Sequence, residues 1–321
     1  MSASNSRIMR LLNDGNLQEQ VKMEDYVAVA TGARRAAVLW IPADFPEGDR
    51  IRESIDEGYS RRYYESRRGG GPFSFFDRIR YAGMRALMNP LRYKASLLRE
   101  AFEEAVWEHS NYRAARRWAA ELGLHIYESQ VRPSLDEMYV VRDEQTVGRV
   151  AAFISRREDI RREMMQQVRR QGGAGPQMAF MPEEKSPEYL RLAGDLLGYP
   201  ECCVEGYIED AGADVDSALR SSNQLSELLQ EDGDGPAVEV ASTAFFASSF
   251  YPCEPECESA QQTGESMLEA LGETDERLVS RMSRVFQANM DYVKKYPEIL
   301  QRRRKQMMSQ YMGGVPSEEQ E

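Results

Sequence analysis

The sequence predicts an α+β protein, mostly helical, with a small mixed sheet in its N-terminal part and a helical C-terminal part that carries the cysteines. Three observations predict it. The clear strand-like runs, rich in apolar and β-branched residues, fall before residue 143. Apolar positions at helical spacing fill most of the remaining chain, punctuated by Gly and Pro. Finally, 321 residues with 41% hydrophobic content are enough to bury the cores of two units.

Taken in order, Tyr26–Thr31 and Ala36–Ile41 are apolar stretches separated by Gly32 and ended by Pro42, expected as two short strands or as one strand and a turn. From Asp49 to Leu122 the pattern is mostly helical, broken at Gly69–Pro72 and at Asn89–Pro90. Its best-defined helix is expected over Leu97–Leu122, with Leu98, Phe102, Ala105 and Val106 near helical spacing and Gly123 as the stop. Two strands are expected at His125–Glu128 and Met138–Arg142 around a turn at Pro133, followed by a helix from about Thr146 to Arg170. Further helices are expected at Pro187–Leu197, Pro200–Asp210, Asp214–Gln230, Pro255–Leu271 and Asp275–Met308. The apolar stretch Ala237–Phe250 fits either a strand or a buried helix, because periodicity does not separate the two in so short a run.

The Gly- and Pro-rich run that starts at Gln171 is the most linker-like in the chain. The expected organisation is therefore a mixed N-terminal part over 1–170, a linker over 171–187, a helical cysteine domain over 188–312 and a disordered tail over 313–321. A net charge of −12 argues against a surface that binds nucleic acid everywhere. No apolar run approaches the roughly 18 residues that span a bilayer. The first ten residues also lack the apolar stretch of a secretory signal, so the expected location is cytoplasmic.

Cytoplasmic thiols are ordinarily reduced, so four clustered cysteines point to metal or redox chemistry ahead of structural disulfides. In Gly198-Tyr-Pro-Glu-Cys-Cys-Val204, glycine stops one helix and Pro200 suits the start of the next, so Cys202 and Cys203 fall in an opening turn. Unpaired amides and the helix dipole favour a thiolate there. The same grammar recurs in Pro252-Cys-Glu-Pro-Glu-Cys257, where Pro255 is expected to open the helix carrying Cys257, with Cys253 just ahead of it. Two such helix starts are expected to converge on one metal–thiolate centre of Cys202, Cys203, Cys253 and Cys257, holding zinc or an iron–sulfur cluster. The CC and CxxxC spacing is not that of a zinc ribbon. Neighbouring helical residues point about 100° apart, which favours a multi-iron cluster or an extra ligand over one tetrahedral ion. Packing of cysteine as a small buried hydrophobe and metal-free thiol redox chemistry are the alternatives.

The segments Leu197-Gly-Tyr-Pro-Glu-Cys-Cys-Val-Glu205 and Phe250-Tyr-Pro-Cys-Glu-Pro-Glu-Cys-Glu-Ser-Ala260 resemble the two signature stretches of a prokaryotic, largely archaeal family, domain-of-unknown-function family 483. The resemblance covers roughly residues 120 to 272. It implies that the two cysteine segments form one site, and it implies no particular reaction.

A second candidate lies between Arg61 and Arg99, where ten basic residues face only Glu65 and Asp77, a local balance of +8. Interleaved aromatics such as Tyr63, Phe73, Phe75 and Tyr81 suit stacking on bases or an anionic membrane surface, with Arg78, Arg80, Arg85 and Arg92 as candidate anion contacts. Pairing of these arginines with acids of the same chain is the plainer alternative. Glu201, Glu205, Glu254, Glu256 and Glu258 read as acidic caps or as a further ligand or base, and Tyr199, Tyr207 and Tyr251 as phenol donors. His109 and His125 read as a helix-surface and a strand residue. The function expected is a metal- or iron–sulfur-binding protein, whether or not it is also an enzyme of unknown reaction, with an unidentified small molecule or protein as partner. Its alternatives are a scaffold that binds RNA or a partner through 61–99, and a thiol redox protein.

Overall fold

The computed structural model describes residues 3–68, 79–84, 88, 90–170, 181–230 and 240–312. The chain divides into two compact units, Met1–Ser155 and Arg156–Glu321. Of the expected linker 171–187, residues 171–180 lie outside the described residues, as does the tail from 313, while Pro182–Lys185 is a short 3-10 helix.

The first unit is built on a three-stranded antiparallel sheet in the order β1-β3-β2, formed by β1 (Ala36–Ile41), β2 (His125–Arg132) and β3 (Leu135–Val141). Strands β2 and β3 form a hairpin around Pro133, where proline's missing N–H is harmless. Every residue of β3 after Leu135 is buried, consistent with its central position. The helices of this unit are α1 (Ala3–Leu12), α2 (Gly48–Arg68), α3 (Pro90–Trp107) and α4 (Ser110–Leu122), with α2 packed on α3 and α1 on α4. Residues 79–84 are also helical.

Two expectations are corrected here. Tyr26–Thr31 is helical, with Lys22–Val27 in π geometry and Ala28–Thr31 in α geometry. Met23, Tyr26, Val27, Ala28 and Val29 are all fully buried, and a run buried all round carries no period by which to tell helix from strand. The single helix expected over Leu97–Leu122 is two, because His109 is extended and its Nδ1 accepts the N–H of Asn111, capping α4. Asp44, just after β1, is half-buried and accepts the N–H of Trp40 at 2.7 Å.

Helix α5 (Glu144–Arg170) runs across the boundary between the units. The second unit continues with α6 (Pro187–Leu197), α7 (Glu201–Gly212), α8 (Ser217–Gln230), α9 (Glu258–Gly272) and α10 (Glu276–Met312). Of the stretch Ala237–Phe250, expected as strand or buried helix, residues 237–239 lie outside the described residues and the rest is a 3-10 turn, Ser242–Phe245, with irregular flanks. This turn wedges between α9 and α10. Asn289 Nδ2 of α10 donates to the Phe245 carbonyl at 3.0 Å, and Ala244, Phe245, Phe246 and Phe250 are buried. Gly264 of α9 lets the turn in, since a Cβ there would stand 2.1 Å from the Thr243 carbonyl oxygen.

Candidate metal centre

Local chain chemistry fixes the first cysteine segment. Gly198 closes α6 at φ 76°, a left-handed value that glycine adopts without a side-chain clash, and Tyr199 N–H returns to the Gly194 carbonyl at 2.8 Å. Pro200 then caps α7 in extended geometry, and its carbonyl accepts both Cys203 and Val204 N–H at 3.0 Å. Cys202 and Cys203 are thus the second and third residues of α7. In the second segment, Cys257 is itself the N-cap of α9, and the turn before it closes through Cys257 N–H to the Glu254 carbonyl at 3.1 Å. Pro255 therefore lies in the turn and not in the helix, a correction to the expected start.

Aromatic packing joins the segments. Tyr199 packs at a tilt against Phe250 with centroids 4.9 Å apart, and Phe250 against Phe246 at 4.3 Å. Tyr207 of α7 accepts the N–H of Tyr251 at 2.7 Å and donates to the Ser249 carbonyl at 3.0 Å, so one phenol spans the bend in which Ser249 adopts φ 59°. Gly206 admits Cys253, whose Cβ lies 3.2 Å from where a side chain at 206 would begin.

The result is a cluster of four sulfurs, all within 4.8 Å of one another. Cys202 to Cys257 and Cys203 to Cys257 are each 3.6 Å, Cys203 to Cys253 is 3.8 Å, and Cys202 to Cys203 is 3.9 Å. None is in a disulfide. The expected divergence of Cys202 and Cys203 is not found. Helical Cα–Cβ bonds tilt toward the N-terminus, so two adjacent first-turn thiols lean toward a common point beyond the helix end. Cys203 and Cys257 are buried, Cys253 is half-buried and Cys202 is exposed.

Four thiols this close cannot all ionise unaided. Burial, followed by the charges of Cys253 and Cys257, holds the Cys203 thiol far above its ordinary range. Burial and the Cys257 thiol push Cys253 up to about 12. Cys202 moves the other way: partial burial raises it, but hydrogen bonds with Cys257, Ser259, Cys203 and Cys253 together outweigh that and lower it. The raised Cys203 and Cys253 thiols hold protons that an entering cation would have to displace.

Arg220 of α8 braces this arrangement, and local sequence gave no sign of it. Its Nη1 donates to the carbonyls of Cys253 at 2.8 Å and Pro252 at 3.2 Å and to Gln224 Oε1 at 2.7 Å, while Nε pairs with Asp210 at 2.8 Å. Gln224 Nε2 reaches the same Cys253 carbonyl at 3.3 Å. The guanidinium brings positive charge to a segment otherwise lined by glutamates. Of those acids, Glu205 is held by Arg191 at 2.7 Å and Glu201 opens α7.

The basic stretch is in the first unit. Arg78 and Arg85 lie outside the described residues. Arg80 pairs with Glu100 at 2.7 Å, Arg62 with Glu104, and Arg99 with Glu103 and Asp136 at 2.8 and 2.5 Å. Arg92 is exposed on α3. Tyr81 and Tyr93 pack with Leu97 in a small core. Arg62, Arg80 and Arg99 thus meet acids of the same chain.

The resemblance expected over roughly residues 120 to 272 is found. A family model described as a protein of unknown function, DUF483, matches residues 124–281. The uncharacterized protein MJ1106 of Methanocaldococcus jannaschii is 33% identical over 72 residues, which cover 22% of this chain and 35% of that protein. The match thus spans about a third of that relative's length. No solved structure matches. No helix among the described residues is long and apolar enough to cross a membrane.

Proposed function

We propose that this chain is a metal-binding protein whose Cys202, Cys203, Cys253 and Cys257 hold one tetrahedral ion, zinc in the first instance. The observation that carries the reading is that four of the six sulfur pairs lie 3.6 to 3.9 Å apart and all six lie within 4.8 Å. A tetrahedron with metal–sulfur bonds of 2.3 Å has edges of about 3.8 Å. In a cubane cluster each cysteine binds a different iron and the core's own sulfides hold the cysteines farther apart, so this set is more compact than a cluster needs. A lone iron in the same four thiolates is the nearest variant.

Four protein ligands complete a zinc sphere and leave no position for water or substrate, which makes the proposed role structural. The ion joins the N-terminal ends of α7 and α9, and the positive ends of both helix dipoles, with Arg220, offset the −2 charge of a tetrathiolate zinc centre. The test is anaerobic purification, metal analysis and an absorption spectrum, repeated on alanine variants of each cysteine. One zinc per chain without visible bands is expected, lost in Cys203→Ala, Cys253→Ala and Cys257→Ala. Full metal content in all these variants, with stability lost only in proportion to the volume removed, would return the cysteines to packing.

A further inference from the structure

The four sulfurs are not equivalent, and the asymmetry carries chemistry that a purely structural zinc would not need. Cys203 is 0% and Cys257 3% exposed. Cys253 is half-buried, with its carbonyl gripped by Arg220 and Gln224. Cys202 alone of the four is open to solvent. It is the second residue of α7, in the first turn of that helix. Cys257 lies 3.6 Å from it, against 3.9 Å for its chain neighbour Cys203.

We infer that Cys202 is the modification site of this centre: its thiolate reacts with hydroperoxides and other soft electrophiles, and Cys257 resolves the product into a disulfide that releases the metal. Release rests on the metal reading above, whereas the reactivity of Cys202 and the pairing with Cys257 rest on exposure and distance alone. In the first step the Cys202 thiolate attacks a peroxide oxygen and the O–O bond breaks. Sulfur gives up two electrons to become a sulfenic acid, and hydroxide leaves and takes a proton from water. In the second step the Cys257 thiolate attacks the Cys202 sulfur, the S–O bond breaks, a second hydroxide leaves, and the S–S bond forms. The sulfurs close from 3.6 Å to about 2 Å. The ion then retains only Cys203 and Cys253, a pair that does not complete its sphere.

The test uses the full chain purified anaerobically, with its metal content measured first. A substoichiometric dose of N-ethylmaleimide is mapped by mass spectrometry. A parallel sample receives one equivalent of hydrogen peroxide while a chromophoric chelator reports free metal. Expected are alkylation at Cys202 at least ten-fold ahead of any other cysteine, a Cys202–Cys257 disulfide, and one metal released per disulfide. Preferred alkylation of Cys253, equal labelling of all four, or a disulfide that omits Cys202 would overturn the inference. A chain that carries no metal but labels first at Cys202 and forms the Cys202–Cys257 bond would sink the metal reading and leave the reactive site standing.

Discussion

At the scale of single residues, the thiols were visible in the sequence and their support was not. Cysteine announces its chemistry by type, and the Gly or Pro turn ahead of each pair announces a helix start. Arg220 announces nothing, because its partners Asp210, Gln224, Pro252 and Cys253 come together only through tertiary packing. Groups that orient a ligand segment commonly change metal affinity 10- to 100-fold when lost. Arg220→Ala should therefore speed metal loss to a competing chelator by about 10- to 100-fold, with far-ultraviolet circular dichroism unchanged. Arg220→Lys keeps the charge but not the forked geometry and should recover only part of the loss. Equal release rates in all three proteins would reduce Arg220 to a structural ion pair with Asp210.

At the scale of elements, helices with capped ends were legible and fully buried runs were not. Gly198 and Pro200 bracket the start of α7, whereas Tyr26–Thr31 lacks the polar positions that reveal a period. The start of α9 at Glu258 and not at Pro255, which makes Cys257 an N-cap and not an interior residue, lay below the resolution of pattern reading. The seating of the 3-10 turn on α9 through Gly264 gives a direct test. Gly264→Ala forces a side chain onto the Thr243 carbonyl and should cost about 1–3 kcal/mol in urea unfolding. It should also weaken metal retention, because the same turn leads into the Cys253 segment. In the first unit, burial pushes the Asp44 carboxyl up to about 6 despite its bond from Trp40, and Glu24 adds to the rise. The folded protein thus holds this proton more tightly than the unfolded chain does. The associated stability is fully present below the ordinary aspartate pKa near 3.9 and is lost as the pH rises through about 6. Asp44→Asn keeps the acceptor and removes the charge, so it should raise stability at pH 7 by about 1–3 kcal/mol and flatten the slope between about pH 4 and 6. Urea midpoints at pH 5 and pH 7 that move equally in both proteins would contradict this.

At the scale of the whole molecule, the α+β class and the helical cysteine-bearing part followed from the distribution of strand-like runs and Gly or Pro stops. The pairing of the basic stretch did not, because the acids that meet it, Glu100, Glu103, Glu104 and Asp136, lie beyond it in sequence. Nor did the compactness of the sulfur cluster, which depends on the tilt of side chains toward the end of α7 and on the aromatic packing between the two segments. That compactness carries the proposal of one ion over a cluster, and it is the central claim. X-ray absorption at the metal edge of the anaerobically purified protein measures it most directly. The expected result is one metal per chain with four sulfur neighbours at about 2.3 Å and no second metal in its surroundings. A metal–metal neighbour, or a first shell in which nitrogen or oxygen replaces the cysteine sulfurs, would contradict it.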